Sequence, residues 1–218
     1  MNRQTRYRYL TGTALLALAL TVPAAAQVEV LKIEKTLFPG TATTLHADVT
    51  FGGVAIEGTD GRDVQVEVLV ECTREDIEAC RARAHQVLLR PRVKKDKLIV
   101  KLKYTPRTRV RGLKASLRLK VPRNLVLDVN VRSGGVRVEG MTSNIEIDTV
   151  SGDVELTYPL QRAGSVNVDV GFGRADLLLP DQTRVEGSGF PKRVDWKGTG
   201  PAFLEIDIGT GDATIRLQ

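Results

Sequence analysis

The sequence predicts an all-β fold, read as a β-solenoid or parallel β-helix-like stack of repeats of about 20 residues, with one helix inserted in its N-terminal half. Three observations predict it. One short segment recurs: SGDVEL at Ser151–Leu156 has near-copies FGGVAI at Phe51–Ile56, SGGVRV at Ser133–Val138, FGRADL at Phe172–Leu177 and TGDATI at Thr210–Ile215. The residues around each copy alternate apolar and polar, the period of two that a half-buried strand needs. A single stretch of chain changes to helical spacing. An active site needs one constellation of residues, whereas a repeated turn points to a repeated structural unit.

Residues 1–26 read as a secretory signal peptide. Arg3, Arg6 and Arg8 make a basic start, Ala14 to Val22 an apolar run, and Ala24-Ala25-Ala26 a small-residue cleavage site. The apolar run is short of the roughly 20 residues that a membrane span needs. Gln27, and not a cysteine, follows the cut, which argues against a lipid anchor. No second long apolar run follows, so residues 27–218 are expected to form one exported β-repeat domain, periplasmic or extracellular, with no transmembrane segment.

Residues 27–124 hold the less regular strands. Val28, Val30 and Ile33, then Leu45, Ala47, Val49 and Phe51, alternate loosely; Val64, Val66, Val68 and Val70 alternate cleanly. Thr73-Arg74-Glu75-Asp76 reads as a capping-box start, and Ile77, Cys80, Ala84, Val87 and Leu88 follow at helical spacing, predicting a helix over about 74–89 that Pro91 stops. Cys72 and Cys80 flank the strand-to-helix corner, where a disulfide needs Cα atoms within about 7 Å. Export favours the bond; two buried thiols are the alternative. Strands resume with Leu98, Val100, Leu102 and Tyr104, and again with Leu113, Ala115, Leu117, Leu119 and Val121.

Residues 125–218 carry the regular glycine-turn repeats. Aligned on Gly52, Gly134, Gly152, Gly173 and Gly211, the copies form columns. Ala47, Val129, Ile147, Val168 and Ile206 stand five residues before the glycine; Val54, Val136, Val154, Ala175 and Ala213 stand two after it. Ile56, Val138, Leu156, Leu177 and Ile215 follow at four after. These are core columns. Asp48, Asn130, Asp148, Asp169 and Asp207 form one solvent-facing column, and His46, Asp128, Glu146, Asn167 and Glu205 another. The 38 residues between Gly173 and Gly211 leave room for one degenerate copy between Thr183 and Phe203. Glycine at the turn accepts positive φ or a corner too tight for a side chain. A meander of antiparallel hairpins has the same parity, but like residues recurring in one column favour stacking.

These SGDVEL-type repeats, behind a signal peptide and a strand–helix–strand opening, resemble the adhesin-like β-strand-repeat family of bacterial cell-envelope proteins, over about Val28 to Gln218. The resemblance implies an extracytoplasmic β-repeat protein of a family largely without known function, and it supplies no catalytic residues.

The catalytic inventory is thin. The two histidines, His46 and His85, lie in no HExxH pattern, and no GxSxG or phosphate loop is present. Cys72 and Cys80 lack zinc-site spacing, and no cofactor or metal is expected. The alternative is an envelope polysaccharide-active enzyme using paired carboxylates such as Asp148 and Asp169. With only 5% aromatic residues there is little material for sugar platforms.

Charge is more informative. Residues 81–123 hold sixteen basic residues against the single acid Asp96, within a chain of net charge +6. Lys101, Lys103, Arg107, Arg109, Arg111, Lys114, Arg118 and Lys120 are read as one basic hairpin, an anionic-ligand patch for envelope lipid or polysaccharide. A solvated face that shields a strand edge is the plainer reading. Nucleic acid fits the charge but not the export. The acidic columns should repel across neighbouring strands, with Asn130, Asn167 and bridging arginines as relief. The strand ending at Leu217-Gln218 is expected to be covered by an earlier segment or by a partner chain. The function expected is that of a non-enzymatic envelope scaffold or adhesin-like binding module, possessing either a ligand or a protein partner.

Overall fold

A computed structural model describes residues 27–73, 77–104 and 112–218. Residues 1–26, read above as a signal peptide, Arg74 to Asp76, and Arg107, Arg109 and Arg111 lie outside the described residues. In chain order the strands are β1 (Gln27–Leu37), β2 (Thr44–Val49), β3 (Gly53–Thr59), β4 (Val64–Thr73), then α1 (Ile77–Ala84), β5 (Val87–Lys94), β6 (Lys97–Tyr104) and β7 (Leu113–Pro122). There follow β8 (Val126–Ser133), β9 (Val136–Glu139), β10 (Ile145–Ser151), β11 (Val154–Tyr158), β12 (Ala163–Phe172) and β13 (Ala175–Leu178). The chain closes with β14 (Arg184–Glu186), β15 (Lys192–Lys197), β16 (Ala202–Thr210) and β17 (Ala213–Leu217).

These strands make two mixed sheets that face each other across one core. One has the order β1-β4-β7-β3-β9-β11-β17-β13-β14, the other β15-β12-β16-β10-β8-β2-β6-β5. Each repeat sends its strand before the glycine to the eight-stranded sheet and its strand after the glycine to the nine-stranded one. Repeat strands pair with one another in parallel, Ile147 with Val129 and Ile206, and Leu156 with Val138 and Ile215. They do not form hairpins. The columns read from the sequence are therefore rows of the core: Ala47, Ile147, Val168, Ile206, Val154, Leu156 and Ile215 are all fully buried.

The turn glycines have a physical cause beyond flexibility. Gly152 has φ +145°, and a Cβ there would overlap the carbonyl oxygen of Gly134. Gly134 stands in the same relation to Gly52, and Gly211 to Gly152, so one repeat's corner is seated on the next. The aspartate of SGDVEL completes that seat. Asp153 Oδ1 accepts the backbone N–H of Asp212 at 2.9 Å, and Asp212 Oδ1 accepts that of Arg174 at 2.9 Å. The recurring SGD is thus a corner that hydrogen-bonds its neighbour's corner.

Spatial order departs from chain order. The repeat β16–β17 lies between β10–β11 and β12–β13. Thr183 to Phe203 is not a degenerate copy: β14 and β15 run antiparallel to β13 and β12 and close the outer end of both sheets. Nor is the strand ending at Leu217 an edge. β17 is flanked by β11 and β13, so the expected cover by an earlier segment is what occurs, and no edge there remains for a partner chain.

Two further expectations are corrected in the N-terminal half. The helix ends earlier, at Ala84, and residues 87–94 form β5. Val87 and Leu88 extend the helical spacing by coincidence; as strand residues they pair with Tyr104 and Lys103 of β6. Pro91 does not stop a helix but sits in an edge strand, where a missing N–H can face outward at no hydrogen-bonding loss. The strands β6 and β7 do not pair, because one belongs to each sheet. The two strands are therefore not the arms of one hairpin. Cys72 and Cys80 are disulfide-bonded, Cα atoms 6.0 Å apart, which ties α1 to β4.

Candidate binding surface

Parallel in-register pairing lays like residues in lines across the outer face of the eight-stranded sheet. One line runs Lys101, Asp48, Asn130, Asp148, Asp207, Asp169, Arg193 from β6 to β15. The line two residues earlier holds His46, Asp128, Glu146, Glu205 and Asn167. Parallel strands lie about 4.8 Å apart, so these carboxylates crowd one another. Cations close the first line at both ends: Lys101 pairs with Asp48, and Arg193 Nε donates to Asp169 Oδ1 at 2.8 Å. Asn130 sits between Asp48 and Asp148 and donates to Asp128 Oδ1 at 2.9 Å. His46 Nδ1 stands 2.8 Å from Asp128 Oδ2.

The centre of the line has no such relief. Burial, then the charges of Asp148, Asp169 and Glu205, pushes the Asp207 carboxyl above its ordinary value, against a smaller opposing pull from Arg193. Burial and Asp128 do the same to Asp148, and burial with Asp128, Asp148 and Glu205 to Glu146. A shallow groove of about 640 Å³ runs along this line, bounded on its other side by Thr50, Arg132, Val150, Gly209 and Gly171. Asp148 and Asp169 are not neighbours, since Asp207 separates them. Among the described residues, no three His, Cys, Asp or Glu side chains converge as metal ligands would.

A raised carboxyl pKa means that the folded state holds protons more tightly than the unfolded one. Stability from this source is full below the ordinary carboxylate range and is lost as pH rises through the raised values. Asp207→Asn is therefore expected to stabilise the protein at pH 7 by about 0.5–1 kcal/mol, or roughly 1–4 °C in Tm. The gain should shrink toward pH 4. A thermal melt that shows the same increment at both pH values, or a loss at pH 7, contradicts this.

The basic residues expected to form one patch fall on two sheets. Lys101 and Lys103 lie on the outer face of the eight-stranded sheet, whereas Lys114, Arg118 and Lys120 lie on that of the nine-stranded sheet. The second group is largely matched by acids: Arg118 is 3.2 Å from Glu67 and Lys120 3.6 Å from Glu57. The first group gains members on residues 90–97, to which the sequence reading gave no element. Arg90, Arg92 and Lys94 of β5 are exposed and lie across from Lys101, Ile99 and Lys97 on the same edge pair. Their signal is present in the sixteen basic residues of 81–123, but with no strand read between the helix and Leu98 they have no face.

No known protein family matches the chain, and no curated protein matches it. Solved structures do. A candidate cell adhesion protein from Clostridium sporogenes ATCC 15579 is 11% identical, with 86% of this chain and 99% of that chain covered at a TM-score of 0.50. A candidate adhesin from Bacteroides fragilis NCTC 9343 is 12% identical over 86% and 97% of the two chains, TM-score 0.24. A candidate lipid-binding protein from Parabacteroides distasonis ATCC 8503 is 8% identical over 86% and 96%, TM-score 0.28. The first likeness is one of fold; the other two are too distant in shape to carry an argument.

Proposed function

We propose that the chain is an exported, non-catalytic binding module of a bacterial cell envelope, an adhesin-like scaffold that meets an anionic surface with the β5–β6 edge of its eight-stranded sheet. The observation that carries this is the run of exposed cations on that edge, Arg90, Arg92, Lys94 and Lys103, flanking Lys97 and Lys101, which pair with Asp128 and Asp48. Clustering like charges costs self-repulsion, which an anionic partner relieves. The basic leader-like start of the sequence supports export. The parallel registers support a short two-sheet solenoid as the scaffold, and the adhesion name of the Clostridium structure accords with a binding role. The surface proposed is envelope lipid, with anionic polysaccharide as the other source of the same chemistry.

Each cation near an anionic membrane contributes about 1 kcal/mol, so Arg90→Glu/Arg92→Glu/Lys103→Glu should weaken binding to phosphatidylglycerol vesicles by at least about 100-fold. The triple variant Lys114→Glu/Arg118→Glu/Lys120→Glu, on the other sheet, should sediment with vesicles as the unaltered protein does. Equal binding by the first variant, or no binding at low salt by the unaltered protein, sinks the lipid reading. Binding to anionic polysaccharide alone moves the partner to that source.

A second reading, a polysaccharide-active enzyme, draws on the carboxyls of Asp148 and Asp207, both raised by burial in one groove. It requires that envelope glycans be cleaved and that Asp148→Asn abolish the cleavage.

A further inference from the structure

The two sheets have four edges, and three of them are blunted. β5 carries Pro91 among its cations, β14 is three residues long, and β15 presents Lys192, Arg193 and Lys197. Charges, proline and shortness are the usual means of preventing strand addition. The fourth edge, β1, also carries charges, but Glu29, Lys32, Glu34 and Lys35 are of both signs, so a second copy can oppose them in pairs. It is eleven residues long and free of proline, and it has no hydrogen-bonded neighbour on its outer side among the described residues. Its apolar residues Val30, Leu31, Ile33 and Leu37 pack against the core yet stay only half-buried. A bulge at Val30 interrupts the ladder with β4, but from Leu31 to Leu37 the pairing is continuous.

We propose that β1 is a homotypic interface, in which two copies of this chain pair their β1 strands antiparallel about Ile33. An interface between identical edges related by a two-fold axis must be antiparallel. Centred on Ile33, that register sets Lys32 of each copy opposite Glu34 of the other, on the face where these two residues already lie 2.6 Å apart within one strand. Four charges then alternate in sign across the axis. Shifting the register by two residues either way opposes Lys32 to Lys32 or Glu34 to Glu34, and shifting by one turns the apolar side of one strand against the polar side of the other. The charge order of the strand thus accepts its own copy in one register and disfavours the nearest others. Pairing would also cover the half-exposed Ile33 with its counterpart, while Leu31 of each copy meets the Lys35 stem of the other.

The test is sedimentation equilibrium of the whole protein, unaltered and with Lys32→Glu or Glu34→Lys. Either substitution places like charges across the axis, so each variant alone should dissociate at least tenfold more readily than the unaltered dimer. Mixed in equal amounts, the two variants place acids opposite bases again and should associate as a heterodimer. Circular dichroism melts report whether each variant folds, since Lys32 also lies 3.2 Å from Glu67 of its own chain. A monomeric unaltered protein overturns the proposal. So does association that neither substitution weakens, or a mixture no more associated than its components.

Discussion

Gly152→Ala is expected to remove about 4 kcal/mol of stability and to lower Tm by roughly 10 °C. Two costs add. A non-glycine residue at φ +145° is held in a region that only glycine occupies freely, at about 1–3 kcal/mol. The new methyl group must also displace the carbonyl of Gly134, whose own corner rests on Gly52, so relaxation at one repeat is resisted by the next. Overpacking of this kind typically costs a further 1–3 kcal/mol or so. Gly40→Ala is a milder control: its positive φ, +60°, lies in the left-handed region that Lys95 and Gln182 also occupy, and nothing stands within 4 Å of the added atom. Urea midpoints that fall equally in the two variants would show that backbone conformation alone sets the cost.

Ile206→Asp is expected to have a larger effect, above about 4 kcal/mol, because it buries an unpaired carboxylate. Ile206 is fully buried on β16 between Ile147 and Val168. In the eight-stranded sheet, β12 and β15 reach the remaining strands only through β16. Loosening β16 should therefore expose β12 and β15 before β2, β8 or β10. Hydrogen exchange read strand by strand checks this. Uniform loss of protection across the sheet, or a midpoint shift equivalent to less than about 1 kcal/mol, contradicts the assignment of β16 as their sole link.

The repeats from Val126 onward are legible in the sequence because two independent signals coincide there, period-two alternation and a glycine whose place in the corner admits no side chain. The core rows built on Ile147, Val168 and Ile206 follow directly. What the residues do not encode is the order of the rows. Val129, Ile147, Ile206 and Val168 are interchangeable as neighbours, so nothing in the columns places β16 between β10 and β12. The candidate surface is legible as charge but not as geometry. Ile77, Cys80, Ala84, Val87 and Leu88 keep helical spacing past a helix that ends at Ala84, so the start of β5 is hidden and Arg90, Arg92 and Lys94 have no strand to place them on. Lys101 and Lys120 look like members of one hairpin, but β6 and β7 belong to opposite sheets.

The interposed repeat has a kinetic consequence. A chain that folds as it emerges from its N-terminal end makes β12 and β13 before β16 and β17, yet the later pair must come to rest inside the earlier ones. Until then the row beside β10 is vacant, and β12, whose columns match those of β10, is the nearest strand that could fill it. Val168 would settle against Ile147 as readily as Ile206 does, giving a compact state one repeat short of native. Escape from it requires parting two parallel ladders to admit a third. Contacts between β10 and β16 join residues far apart in sequence, which by topology alone slows folding. Refolding should therefore divide into a fast fraction that keeps the gap open and a slow fraction that first closes it wrongly, and the trapped species would leave β16 and β17 as unpaired strands free to associate.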